Sequence, residues 1–359
     1  MVFPSLKASG FRPVRLENKN YLINGGMAVA QRNPAFVRTA CVDNSYQMAD
    51  RWRTLMDLPS GTAPDIYSSD GFGVTPGGSR YAAVVYSNAA PGKVGIFQVV
   101  ESYNMHDLRG SVVSLSMRCS EFGSLNNIKM AVVEWTGTKD GTTADPISSW
   151  NAAGTNPTLA FSGTGWSYVG TPKTCTPGTT WTRFTADAIG VVSTSANNIG
   201  VLIWADDTAS IADESAIVIT DVKLEKGPFC TEFILEDFAT VLQQCQRYYW
   251  KSFPYGTAPA QNTSAPTGAI SLNSAGTATT NISSHVRFPV AMRSIPSVTL
   301  YNIYASNTNW ANLSASSDSG MTSTAAYISE SGALILTTGG TAPSTGQQYG
   351  IHATAAIEL

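Results

Sequence analysis

The chain has 359 residues, of which 43% are hydrophobic and only 13% charged, with a formal net charge of -3. Gly, Ser, Thr, Asn and Ala fill the place of the roughly 25% charged residues of ordinary soluble domains, the composition of a β-rich, turn-rich protein long enough for two or three cores. The near-neutral balance argues against nucleic acid or an anionic membrane surface as partner, and no apolar run is long enough to insert into a bilayer.

The first ten residues lack the apolar stretch of a secretory signal, so synthesis in a cytoplasm is expected. Residues 20–32 then form a strand-like apolar run in which Gly25 and Gly26 imply a tight bend. From 45 to 227 the pattern has period two. Val113, Leu115 and Met117 point one way, and Ser114, Ser116 and Arg118 the other. In 128–135, Ile128, Met130 and Val132 share one side and Ala131, Val133 and Trp135 the opposite one, so both faces are expected to be covered. A polar break from 136 to 180 carries Trp150, Trp166 and Tyr168, after which strands resume at 181–185, 199–204 and 216–224. Short strands with no helix between them predict a mainly β fold, a sandwich or jelly roll of two antiparallel sheets.

The one helical pattern spans 231–251. Ile234, Leu235, Phe238, Val241, Leu242, Cys245, Tyr248 and Tyr249 recur at three-and-four spacing, acids sit near its start, Arg247 and Lys251 near its end, and Pro254 follows. Such a face either covers a β-domain of its own chain or packs against copies of itself. Two heptads are too short for a self-sufficient coiled coil, so flanking domains would have to hold such a bundle together. Beyond it, Val286, Phe288 and Val290 share a face, with Pro289 arguing for a sheet edge. Strands at 297–304 and 333–336 and the alternation of Tyr349, Ile351, Ala353, Ala355, Ile357 and Leu359 predict a second β-domain with the last strand pinned into its sheet.

No GxSxG, Walker loop or HExxH is present. His106, His285 and His352 lack the close companions of a catalytic or metal site and are expected to be structural, as are the unpaired cysteines Cys41, Cys119, Cys175, Cys230 and Cys245. Asp206, Asp207, Asp213 and Glu214 flank one loop, where such acids serve as solvated turn formers, as structural calcium ligands or as an acid pair. Aromatics in polar loops carry the better functional signal, because sugar C–H faces stack on them while hydroxyls bond neighbouring polar groups. Trp150, Trp166, Tyr168, Tyr304 and Trp310 are the glycan candidates; Trp52, Trp135, Trp181 and Trp204 lie in strand-like runs and are assigned to cores.

Asn20-Tyr-Leu-Ile-Asn-Gly-Gly-Met27 with Ala30-Gln-Arg32, Tyr46-Gln-Met-Ala-Asp-Arg-Trp52, Asp221-Val-Lys-Leu-Glu-Lys-Gly227, Cys245-Gln-Arg-Tyr-Tyr249 and Val286-Arg-Phe-Pro-Val-Ala-Met-Arg293 stand in the order found in a family of bacteriophage tail-fibre and virion proteins, which the chain resembles. The stretches 97–101 and 108–118 are similar to that family's jelly-roll strands, themselves like carbohydrate-binding modules. The resemblance implies a jelly-roll β-sandwich, a short connecting helix and a C-terminal β-sandwich domain. The expected division is an N-terminal attachment segment at 1–40, a jelly roll at 41–229, a helical neck at 230–252 and a C-terminal β-domain at 253–359. It further implies a virion protein, assembled in the bacterial host cytoplasm, without cofactor or catalysis. Its partners would be host surface polysaccharide and, through the N-terminal segment, other virion proteins, in a homotrimer joined through Phe238, Val241, Leu242, Cys245 and Tyr249. A head-fibre or decoration protein and a polysaccharide depolymerase are the alternatives. The matching segments are structural ones, and no family sugar-binding residue maps onto this chain.

Overall fold

Period-two alternation in β-branched and aromatic stretches produces two antiparallel sheets in the first two thirds of the chain. A computed structural model describes residues 18–34, 39–40, 42–57, 65–69, 74–79, 81–86, 93–122, 128–142, 145–152, 154–162, 164–205, 216–274 and 282–359. One sheet orders the strands Thr39–Ala40, Asp65–Ser69, Ala82–Tyr86, Ala216–Lys226, Val112–Phe122 and Thr182–Val191. The other orders Phe161–Ser162, Thr164–Tyr168, Ile128–Trp135, Asn198–Ala205, Val94–Val100 and Arg53–Met56, with Lys173–Cys175 also paired to Ile128–Trp135. The long strands between Val94 and Lys226 alternate between the sheets, the winding of a jelly roll.

Val113, Leu115 and Met117 face Ile128, Met130, Val132, Ile199, Val201 and Ile203 across the core, all fully buried. Each such side chain stabilises the fold by about 1.5–3 kcal/mol relative to exposure. Ala131, Val133 and Trp135 enter a second cluster on the outer side of their sheet, so both faces of that strand are covered as its composition required. Ser114 and Ser116 depart from the expected outward placement and are buried. The segment after Lys226 crosses that side: Ser114 Oγ donates to Gly227 O at 2.8 Å.

The Asn24-Gly25-Gly26-Met27 bend is a close approach of backbones. A Cβ on Gly25 would lie 2.2 Å from Val222 O, while Val222 N donates to Gly25 O at 3.0 Å. Asn24 stands at φ 58 and closes the bend through its side chain, which bonds Val29 N, Val29 O and Asp50 O. Tyr21, Leu22 and Met27 join the jelly-roll core. Residues 18–34 of the expected attachment segment are therefore built into the sandwich.

The C-terminal strands form one eight-stranded sheet that curls around its own core of Val286, Phe288, Leu300, Trp310, Ile335, Tyr349 and Ile351. Strand Gln348–Ala356 is its hub, pairing with Tyr249–Lys251, Ser297–Tyr301, Ile270–Asn273 and Asn309–Asn312. Ser283–Arg287 closes the strand order at an edge and ends before exposed Pro289, as the proline required.

The helix is shorter than its apolar pattern. It runs Phe238–Gln246, starting where the Asp237 carboxylate accepts from Ala239 N. Residues 230–232 are held extended instead, because Arg183 donates to Cys230 O and Thr231 O and Lys223 donates to Glu232 O. At the other end Tyr249–Lys251 leaves the helix to pair with Gln348–Ala356. The 230–252 neck is thus extended backbone, a helix of nine residues and a strand.

Candidate functional site

The turn after strand Val94–Val100 presents an aromatic ring to solvent. Tyr103 is 87% exposed, between Glu101 and the buried anchors Met105 and Leu108. Its backbone is fixed from three sides. Asn104 N donates to Glu101 O at 2.9 Å, Ser102 N donates to Asp140 Oδ1 at 2.8 Å, and Asn198 Nδ2 ties Asp140 Oδ1 (2.6 Å) to Val100 O (3.1 Å). With the main chain held in this way, only the side chain of Tyr103 is left to be ordered when a ligand settles on its ring.

Tyr103 and Asn104 form one wall of an open groove of about 490 Å³. Residues 19–23 supply the floor, with Lys19 Nζ 4.1 Å above the Tyr21 ring and the Tyr21 hydroxyl donating to Asp107. The far wall comes from the helix and its approach: Gln244 Nε2 donates to Glu236 Oε2 at 2.9 Å, and Arg247 donates through Nη2 to Glu101 Oε1 at 2.9 Å. Burial opposes the charge of Arg247, but its bonds to Glu101 hold its pKa above the usual value. A ring, a carboxamide with its hydrogen-bonding groups exposed and a few fixed polar groups suit a ligand that offers C–H faces and hydroxyls together. A second open groove, of about 610 Å³ between 170–173 and 185–189, has no aromatic ring among its described lining residues.

What holds the far wall in place is a charged junction between the two β-domains. Arg51 stacks 3.6 Å from the Tyr248 ring, donates to Glu358 and reaches Val99 O at 2.9 Å. Arg32 lies 3.7 Å from the Tyr249 ring and pairs with the other Glu358 oxygen at 2.9 Å. Burial pushes the Glu358 carboxyl upward, but the two guanidinium groups outweigh it and keep its pKa below the ordinary value. Asp50 is pushed up to about 6 by burial, against Arg32 and the Gln31 side chain, which donates to it at 2.6 Å. Arg51 itself stands at φ 73, a strained backbone position for a side chain this large, held by these contacts. Asn24 to Arg32, Asp50 to Trp52, Arg247 to Tyr249 and Glu358 are scattered along the sequence and meet here.

The aromatics singled out from sequence divide. Trp166 is 1% exposed, edge-on to Phe97 at 5.3 Å and beside Trp135 at 5.4 Å, and Trp310 is 0% exposed in the C-terminal core, so neither meets a ligand. Both belong to strands that a polar surrounding sequence disguised as loops. Trp150 and Tyr168 are half-buried over the outer face of the second sheet, where the Tyr168 hydroxyl donates to Pro157 O at 2.8 Å. Tyr304 is half-buried in the 302–308 loop, apart from the groove. Tyr103 was missed; an aromatic between Ser102 and Asn104, directly after an apolar run, is the signal that marks it.

Val241, Cys245 and Tyr249 face inward, Val241 and Cys245 against Val29 of the same chain, which removes them from a surface for copies. Phe238 remains 43% exposed, and Leu242 is half-buried. Asp206, Asp207, Asp213 and Glu214 lie outside the described residues, as does Cys41; among the described residues no three acidic, His or Cys side chains gather as metal ligands. His352 is buried, bonding Ser252 Oγ at 2.9 Å and Ala265 O at 3.0 Å, while His106 and His285 are exposed.

No family model matches the chain, and a search of curated proteins finds no match. Among solved structures it is similar to the module TmCBM61 in complex with beta-1,4-galactotriose, at 14% identity over 58% of this chain and 99% of that one, TM-score 0.30. The C-terminal family 22 carbohydrate binding module of Clostridium thermocellum Xyn10B follows at 13% identity, over 50% of this chain and 89% of that one, TM-score 0.29. The enzymatically active domain of bacteriophage CBA120 tailspike protein 4 has 9% identity over 58% of this chain and 21% of its own, TM-score 0.32. Likenesses of this size leave the function to be argued from the chain's own residues.

Proposed function

We propose that the chain is a bacteriophage-type virion fibre protein that binds host surface glycan without cleaving it, through the groove at Tyr103. The observation that carries the reading is the exposed Tyr103 ring, set on a hydrogen-bonded turn beside Asn104 in a groove of about 490 Å³. The virion assignment rests on the ordered set of sequence segments that resemble that family. The N-terminal segment would meet other virion proteins. A homotrimer would multiply weak single-site affinity into useful attachment, since linked sites bind at high effective concentration. Exposed Ile234, Leu235 and Phe238 supply an apolar surface for that association.

A glycan array probed with wild type and Tyr103→Ala tests the groove. Binding to host polysaccharide that falls at least tenfold in the variant is the expected result. Binding that survives intact removes the groove from the reading, and the release of shortened chains from host polysaccharide replaces it with a depolymerase. Sedimentation of a monomer would remove the trimer.

A further inference from the structure

Resting on that reading of the groove, we infer that its ligand class is an uncharged oligosaccharide rather than a uronate- or sialate-bearing one. The charges of the walls balance. Arg247 and Glu101 neutralise each other through hydrogen bonds at 2.9 and 3.2 Å, and the Tyr248 hydroxyl also donates to Glu101 at 3.1 Å, so this pair is engaged before a ligand arrives. Among the described lining residues, the two charges left at the surface, Lys19 and Glu236, have opposite sign.

A carboxylate entering this groove gains the attraction of Lys19, meets the repulsion of Glu236, and sheds part of its hydration without a guanidinium free to bind it in two-pronged fashion. An uncharged sugar incurs none of these costs. It offers a C–H face to Tyr103 and hydroxyls to the Asn104 and Gln244 carboxamides, which both donate and accept, and to the Glu236 carboxylate, which accepts. The position of Tyr103 at the rim, 87% exposed, leaves its ring free to take a sugar face.

The experiment is titration calorimetry of the full chain with two matched trisaccharides, a β-1,4-linked glucose trimer and the trimer in which each C6 is a carboxylate, extended to galactose and galacturonate pairs. The uncharged member of at least one pair is expected to bind about tenfold more tightly than its uronate. Its affinity should stay constant between about 0.05 and 0.5 M salt, because no ion pair is screened. Tyr103→Ala should abolish that binding without moving the thermal midpoint, the ring being exposed. Glu236→Gln should shift the preference several-fold toward the uronate. A uronate bound as tightly as its uncharged partner, with affinity falling steeply in salt, overturns the inference and leaves glycan binding in the groove standing. Failure of every trisaccharide to bind, where intact host polysaccharide is bound and Tyr103→Ala abolishes it, overturns the ligand class alone. Failure of both to bind overturns the groove reading as well.

Discussion

Glu358 closes a buried pair of guanidinium groups, and its removal should be felt more than that of any surface charge. Glu358→Ala leaves Arg51, 2% exposed at its side chain, without its anion, at an expected cost of about 3–5 kcal/mol in urea unfolding. The pH dependence has a definite sign. The pKa of Glu358 is lower in the folded state than its ordinary 4.5, so its contribution is complete above that pH and is lost as pH falls through the folded value. Asp50 works in reverse. Its pKa is raised from 3.8 to about 6, so the stability tied to its proton is present below 3.8 and lost as pH rises through about 6. Unfolding free energies measured from pH 4 to 7 should therefore show Asp50→Asn gaining on wild type as pH rises; parallel curves would contradict the assignment. None of this was legible in the sequence. The partners of Glu358 lie 326 and 307 positions away, and no local period encodes a pairing across such distances.

Periodicity did carry the elements, up to the point where tertiary contacts compete for the backbone. The strands at 112–122, 128–135 and 198–205 stand where their runs of strand-forming residues placed them, and 128–135 and 198–205 are apolar on both sides because both of their faces are covered. The helical stripe from 231 overran the real helix because Arg183 and Lys223 reach from the first sheet to claim the main-chain oxygens of 230–232. What remains of the stripe serves two purposes that substitution can separate. Val241→Ala, on the inward side against Val29, should lower stability by about 1–2 kcal/mol and leave the oligomeric state unchanged. Phe238→Glu, at an exposed position with the Tyr255 ring edge-on to it at 5.4 Å, should change stability little and should split the proposed oligomer in sedimentation. An assembly that survives Phe238→Glu assigns the helix wholly to its own chain.

At the scale of the whole molecule, turn-rich breaks read as two β-domains joined by a helical neck, and the end of that segment packs against both. Tyr248 follows the helix directly and lies in the cluster on the outer face of the second sheet, with Phe97 and Leu55 of the jelly roll and Leu359 of the C-terminal region. Its ring also stacks on Arg51 and its hydroxyl donates to Glu101, the residue that fixes Arg247 in the groove wall. A cluster drawn from both domains should make their unfolding one cooperative event, since neither can open without exposing the shared apolar surface. Tyr248→Ala takes away the ring that joins them. A buried aromatic truncated to alanine costs about 3–5 kcal/mol, and here that loss falls on the boundary rather than within either core. Calorimetry should then resolve two transitions where a single one is expected for the wild type, and affinity for the proposed glycan should drop with them, because Arg247 loses the neighbour that steadies its carboxylate partner. A single transition displaced to lower temperature would mean instead that Tyr248 belongs energetically to one domain, and that the groove's far wall is held by the Arg247–Glu101 pair alone.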